Sequence, residues 1–135
     1  MKKIHWTPEF SVGVRELDEQ HKRIVLMLNR LIGANEVTTG SHLIADLITQ
    51  MIAYANEHFR TEEDLLIESG YPLFSRHRQF HIDYRKKVTE LCTATPLGVP
   101  DVPRVMLDYL VQWWRIHILR EDMEYKAFFN EKGIY

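Results

Sequence analysis

The chain has 135 residues, enough for one domain whose core needs no covalent staples. Hydrophobic residues make up 45% and charged residues 27%, and 17 Lys+Arg against 19 Asp+Glu leave a formal net charge of −2. That balance lacks the basic excess of a nucleic-acid binder and any polybasic run for an anionic membrane, and a lone cysteine excludes a disulfide framework or cysteine-built zinc site.

Residues 1–16, with Trp6, Pro8 and Phe10, are expected as an arm laid across the rest of the chain. Two lysines near the start precede no apolar stretch, and no window reaches the roughly 18 apolar residues of a membrane span. A cytoplasmic protein without membrane contact is expected. From residue 17 onward, apolar residues recur every three or four positions, the signature of helices.

A first helix is expected from about Asp18, its candidate cap, to Ile32, with Ile24, Val25, Leu28, Leu31 and Ile32 on one side and His21 extending that stripe. Gly33 to Gly40 reads as a loop. The second segment, Ser41 to Gly70, carries the stripe Ile44, Leu47, Ile48, Met51, Ala55, His58, Glu62, Leu65. The third starts around Pro72, with Phe74, His77, His81, Tyr84, Val88 and Leu91 in register and Cys92 read as a small buried group.

A turn-rich break, TATPLGVPDVP, leads to the last segment, with Asp101 as N-cap and Pro103 in the first turn. Its broad apolar face has Met106, Leu110, Trp113 and His117 on one edge, and Trp114, Ile118, Asp122, Tyr125 and Phe129 on the other. The expected fold is all-α: an up-down-up-down four-helix bundle over 17–135, one domain with its arm.

Within these stripes stand five histidines and two acids that no apolar core wants. Residues four apart share a helix face, which pairs His58 with Glu62 and His77 with His81. Each of the four helices contributes at least one such group, so folding brings His21, His58, Glu62, His77, His81, His117 and Asp122 together inside. An unpaired buried carboxylate costs several kcal/mol, roughly 3–5 when its partner is removed, so Glu62 and Asp122 need compensation. Imidazoles and carboxylates are suitable ligands for iron, zinc, copper or manganese, and a carboxylate has two oxygens with which to bridge two ions. The five residues from His117 to Asp122 overshoot a regular turn by about 140°, so Asp122 is expected to reach in from the helix flank. No Glu-x-x-His occurs, which sets the pattern apart from carboxylate-rich di-metal bundles.

LDEQH around His21, HFRTEE around His58, the His77/His81 pair and WWRIHILRED near the end resemble the hemerythrin family, in particular its bacterial single-domain members. The resemblance implies two iron ions bridged by an oxo or hydroxo group, with O₂ as ligand. It implies His77, His81 and His117 on one iron, His21 and His58 on the other, and Glu62 and Asp122 across both. It also implies an O₂ pocket walled by Ile24, Phe59, Trp113, Trp114 and Ile118. Relatives usually carry a smaller aliphatic residue at the position of Trp114, which implies a narrower pocket here. Tyr125 fits a family tyrosine near the centre.

The function so implied is reversible O₂ binding for storage, transport or delivery, without turnover, by a monomer that serves an oxygen-consuming client enzyme. The alternatives are an oxygen or redox sensor module and a peroxidase or NO-handling enzyme using the same irons. Glu63 and Asp64 read as a solvated face, and His5 and His42 as surface residues.

Overall fold

A computed structural model of the protein describes residues 2–37, 41–94 and 102–135. Four long helices follow one another: α1 Arg15–Val37, α2 Ser41–Ser69, α3 Phe74–Ala94 and α4 Val102–Ile116. The last continues through a π turn, His117–Glu121, and a 3-10 turn, Asp122–Tyr125, into the short α5, Lys126–Glu131. No strand occurs among the described residues, and α1 and α3 each pack on both α2 and α4, which makes a four-helix bundle.

Two apolar clusters stack along the bundle. The larger takes Ile24, Leu28 and Leu31 from α1, Met51 and Phe59 from α2, Tyr84 and Val88 from α3, and Leu110 and Trp114 from α4. The smaller joins Val12, Val14 and Leu17 of the amino-terminal region to Leu66, Tyr71, Tyr125 and Phe129. In every long helix the polar residues of interest lie between these two sets, so a buried polar layer is sandwiched by apolar ones.

Helix ends differ in places from the expected boundaries. α1 runs to Val37, so Gly33 is helical and not the start of a loop; Ala34 still packs on the core, which offsets the roughly 1 kcal/mol that a helical glycine costs. α2 closes on Gly70, whose φ of 72° permits the bonds Gly70 N–H to Ile67 O and Tyr71 N–H to Leu66 O, a Schellman stop. Pro72 belongs to the turn after that stop, and α3 begins at Phe74. Pro103 does lie in the first turn of α4, whereas Asp101 falls outside the described residues. Cys92 is exposed, not buried: Tyr84, Val88 and Leu91 hold the inward stripe, and the next position turns outward.

Asp18 is not the cap of α1 but its fourth residue. Its carboxylate accepts bonds from Val12 N–H (2.8 Å) and the Ser11 hydroxyl (2.6 Å), tying the preceding chain to the helix. Asn29 does the same further out, accepting from Ile4 N–H and donating to Ile4 O, both at 2.8 Å. Substituting Asn29→Ala deletes both bonds and is expected to cost about 2 kcal/mol in chemical denaturation, with faster proteolysis before Arg15. Unchanged stability and proteolysis would show that the arm is held by its apolar residues alone.

Candidate metal centre

Each of the seven predicted groups is brought to the polar layer. His21 comes from α1, His58 and Glu62 from successive turns of α2, His77 and His81 from successive turns of α3, and His117 and Asp122 from the π and 3-10 turns that continue α4. None is more than 2% exposed. His5 is exposed as expected, and the side chain of His42 lies outside the described residues.

All five imidazoles turn Nε2 inward. His21 Nε2 stands 3.0 Å from His58 Nε2, and His81 Nε2 stands 3.1 Å from His117 Nε2. Glu62 lies among them: Oε1 is 2.5 Å from His77 Nε2 and 3.2 Å from His81 Nε2, and Oε2 is 3.2 Å from His58 Nε2. Asp122 Oδ1 is 2.9 Å from His117 Nε2 and 3.1 Å from His77 Nε2, while Oδ2 is 3.1 Å from His21 Nε2. The donor atoms form two overlapping groups, Glu62 with His77, His81 and His117, and Glu62 with His21, His58 and Asp122.

The donor set fits metal ions better than it fits itself. Both Asp122 oxygens are buried without a hydrogen bond despite three imidazole nitrogens at close range. Ligand atoms about 2.1 Å from a common ion and at right angles to one another stand about 3.0 Å apart, the spacing seen between the paired Nε2 atoms. The side chains share targets, which lie in the space between them.

Asp122 gets there by a different route from the expected one. The segment His117–Glu121 is a π turn, in which Asp122 N–H bonds to His117 O five residues back. The wider turn absorbs the extra residue, so His117 and Asp122 face the same way with no reach from the flank.

Charge explains the remaining contacts. Burial alone would drive His21 and His77 toward neutrality, but the Asp122 and Glu62 carboxylates outweigh it and raise them to about 9 and about 10. Asp122 raises His117 against the same burial penalty. Burial pushes both carboxyls upward, yet the surrounding imidazoles hold each well below its ordinary range. His58 is lowered, by burial and then by the charge on His21.

Sequence reasoning missed a set of residues outside the cluster. His58 Nδ1 bonds Gln20 Oε1 at 2.7 Å, and His81 Nδ1 bonds Glu63 Oε2 at 3.1 Å. Glu63 is therefore not part of a solvated face, although Asp64 is exposed. Glu121 lies 3.5 Å from His117 Nδ1, too poorly aimed for a hydrogen bond. Tyr125, which was expected near the centre, donates its hydroxyl to Glu62 Oε2 at 3.0 Å. Position in LDEQH and HFRTEE was the available signal, since Gln20 and Glu63 each directly adjoin a cluster residue.

The aromatic wall is packed against the imidazoles. Phe59 stacks on His81 (centroids 3.9 Å apart) and on Trp114 (5.4 Å), and Trp114 lies 5.8 Å from His58. Trp113, half-buried, stacks on His117 at 4.3 Å. Ile24 and Ile118 are buried in the same apolar cluster as Phe59 and Trp114.

Residues 12–129 match the family model described as the hemerythrin HHE cation binding domain. The chain is 30% identical over 135 residues to a bacteriohemerythrin of Stenotrophomonas maltophilia strain R551-3, covering 97% of this chain and 87% of that protein. It is 31% identical over 124 residues to a bacteriohemerythrin of Clostridium acetobutylicum, covering 89% and 96% respectively. The crystal structure of a hemerythrin with a leucine-to-alanine substitution is similar with a TM-score of 0.84 at 27% identity, over 94% of this chain and 97% of that one.

Protonated His21 and His77 stabilise the metal-free fold fully below their ordinary pKa of 6.5, and that contribution disappears as pH climbs through about 9 to 10. Glu62 and Asp122 contribute above their ordinary values and lose that contribution as pH falls. His58, held low, loses its contribution as pH falls below its ordinary 6.5, so the metal-free protein is expected to melt highest near pH 6.5. Because bound imidazoles must be neutral, adding a divalent metal at pH 7 should release protons, read from calorimetry in buffers of different ionisation enthalpy. Zero net release would contradict the charge state assigned to His21 and His77.

Proposed function

This chain belongs to the hemerythrin family, and from that premise we propose that it binds O₂ reversibly at a non-haem di-iron centre, as an oxygen carrier, store or delivery protein. The observation that carries the reading is the convergence of seven buried donors, with both Asp122 oxygens left unbonded, against an apolar aromatic wall. The proposal takes 1–135 as one domain, because the arm and the C-terminal turns share an apolar cluster. No helix among the described residues is long and apolar enough to cross a membrane.

In this reading His77, His81 and His117 would hold one iron and His21 and His58 the other, with Glu62 and Asp122 supplying carboxylate oxygens to the pair. The position with fewer imidazoles, at His21 and His58, would be the one to meet O₂. A ferrous pair bound here supplies the electrons that O₂ draws on when it binds.

The chain's own residues keep that encounter dry and reversible. Phe59, Trp114, Ile24 and Ile118 are at most 1% exposed and exclude water beside His58. The Tyr84 hydroxyl accepts from Trp114 Nε1 at 3.3 Å, and burial pushes its pKa well above the ordinary tyrosine value, so it keeps its proton at neutral pH. Tyr125 keeps its proton too, since burial and the two carboxylates push it well above the ordinary range, and that proton is committed to Glu62. The titratable groups in the wall are thus held inert, which favours binding over peroxidase or NO turnover.

The reduced, iron-loaded protein is expected to take up one O₂ per two irons, with a visible absorption that fades under vacuum and returns with air. An oxygenated form that never reverts, or steady consumption of peroxide or NO, would move the assignment to an enzyme. A partner that binds only one oxidation state would move it to a sensor. Substituting Trp114→Leu should widen the pocket, with faster O₂ association in stopped flow and faster conversion to the ferric form. Unaltered rates would place O₂ entry elsewhere.

A further inference from the structure

The outward nitrogens of the imidazoles are supported unequally at the two ends of the cluster. At the His77, His81 and His117 end, His81 Nδ1 bonds the Glu63 carboxylate, itself approached by Arg78 (3.7 Å) and Arg85 (3.8 Å). At the His21 and His58 end the outer support is a neutral amide, Gln20; Nδ1 of His21, like Nδ1 of His77 and His117 at the other end, has no hydrogen bond, so the two ends differ by one carboxylate against one amide.

The amide is itself oriented by a chain of donors and acceptors. The Thr61 hydroxyl donates to Glu57 O at 3.2 Å, one turn back in α2. With its proton committed, Thr61 Oγ1 accepts from Gln20 Nε2 at 3.3 Å. Gln20 must then present Oε1 to His58, so His58 Nδ1 carries the proton and the Nε2 lone pair points inward. An amide is a weaker acceptor than a carboxylate, and an imidazole backed by a weaker acceptor is a weaker metal ligand.

We infer that Thr61 and Gln20 are positioning residues that fix the tautomer of His58, and that this neutral support makes the His21/His58 position the weaker and first-emptied of the two. The inference rests on the two-ion reading above and concerns how unevenly the chain holds those ions. It makes the position proposed to meet O₂ also the one from which iron is lost.

The test is a chelator challenge of the anaerobic ferrous protein, following iron release by the colour of the ferrous chelate. Wild type should release one iron per chain rapidly and the second at least about tenfold more slowly. Thr61→Val, which cannot accept from the amide, should speed the fast phase about tenfold and leave the slow phase unchanged, while Thr61→Ser, which keeps the hydroxyl, behaves as wild type. Gln20→Glu, which installs a carboxylate, should slow the fast phase toward the slow one.

Ring ¹⁵N shifts of His58 in the zinc-loaded protein give a second readout: Nδ1 protonated in wild type and perturbed in Thr61→Val. Helical circular dichroism separates these effects from misfolding. Release in a single phase, or a Thr61→Val protein with wild-type rates and His58 shifts, overturns the inference. A chain that takes up no iron, or only one, overturns the di-iron reading instead.

Discussion

Two carboxylates with no solvent exposure, set in the middle of an apolar bundle, are the constraint that everything else here answers. Neither Glu62 nor Asp122 can be buried as a bare charge, and the five imidazoles around them supply the compensation. Because those imidazoles come from all four long helices, meeting the constraint also sets the register of each helix against the others. A slip of one turn in α2 or α3 would carry His58 and Glu62, or His77 and His81, out of the layer together. The apolar clusters above and below supply the bulk of the folding energy, but they tolerate such slips far better than a hydrogen-bonding layer does.

Without metal, the two carboxylates hold His21 and His77 toward their protonated forms, and those charges offset part of the cost of burying Glu62 and Asp122. The arrangement is thereby partly neutralised from within. It still leaves Asp122 without a hydrogen bond, a deficit that protons on imidazoles do not remove.

Much of this was readable beforehand, for a physical reason. A four-residue step on a regular helix has only one geometric meaning, so the His58/Glu62 and His77/His81 pairs could be placed on common faces from spacing alone. Apolar stripes of unbroken period likewise gave four helices and their inward faces. What could not be read were relations that depend on departures from regularity or on contacts between helices. The five-residue step to Asp122 looked like a misfit because a π turn leaves no trace in apolar periodicity. Gln20 and Glu63 lie on half-exposed flanks, where a ligand's outer partner looks the same as an ordinary surface residue until the facing helix is in place. The helical extension through Gly33 and the exposure of Cys92 turn on packing at the helix ends, where propensity is weak evidence.

The widened turn at His117–Glu121 acts beyond Asp122. A turn that takes up one surplus residue leaves the residues beyond it in the phase they would have after a regular four-residue step. Tyr125 and Phe129 follow from there, the first bonded to Glu62 and the second packed in one cluster with Val12, Val14 and Leu17. Regularising that turn without removing a residue would swing them off these partners, undocking the carboxyl-terminal end from the chain's beginning. The irregularity thus works as a phase adjuster: a local defect in hydrogen bonding that keeps two distant ends of the polypeptide in step.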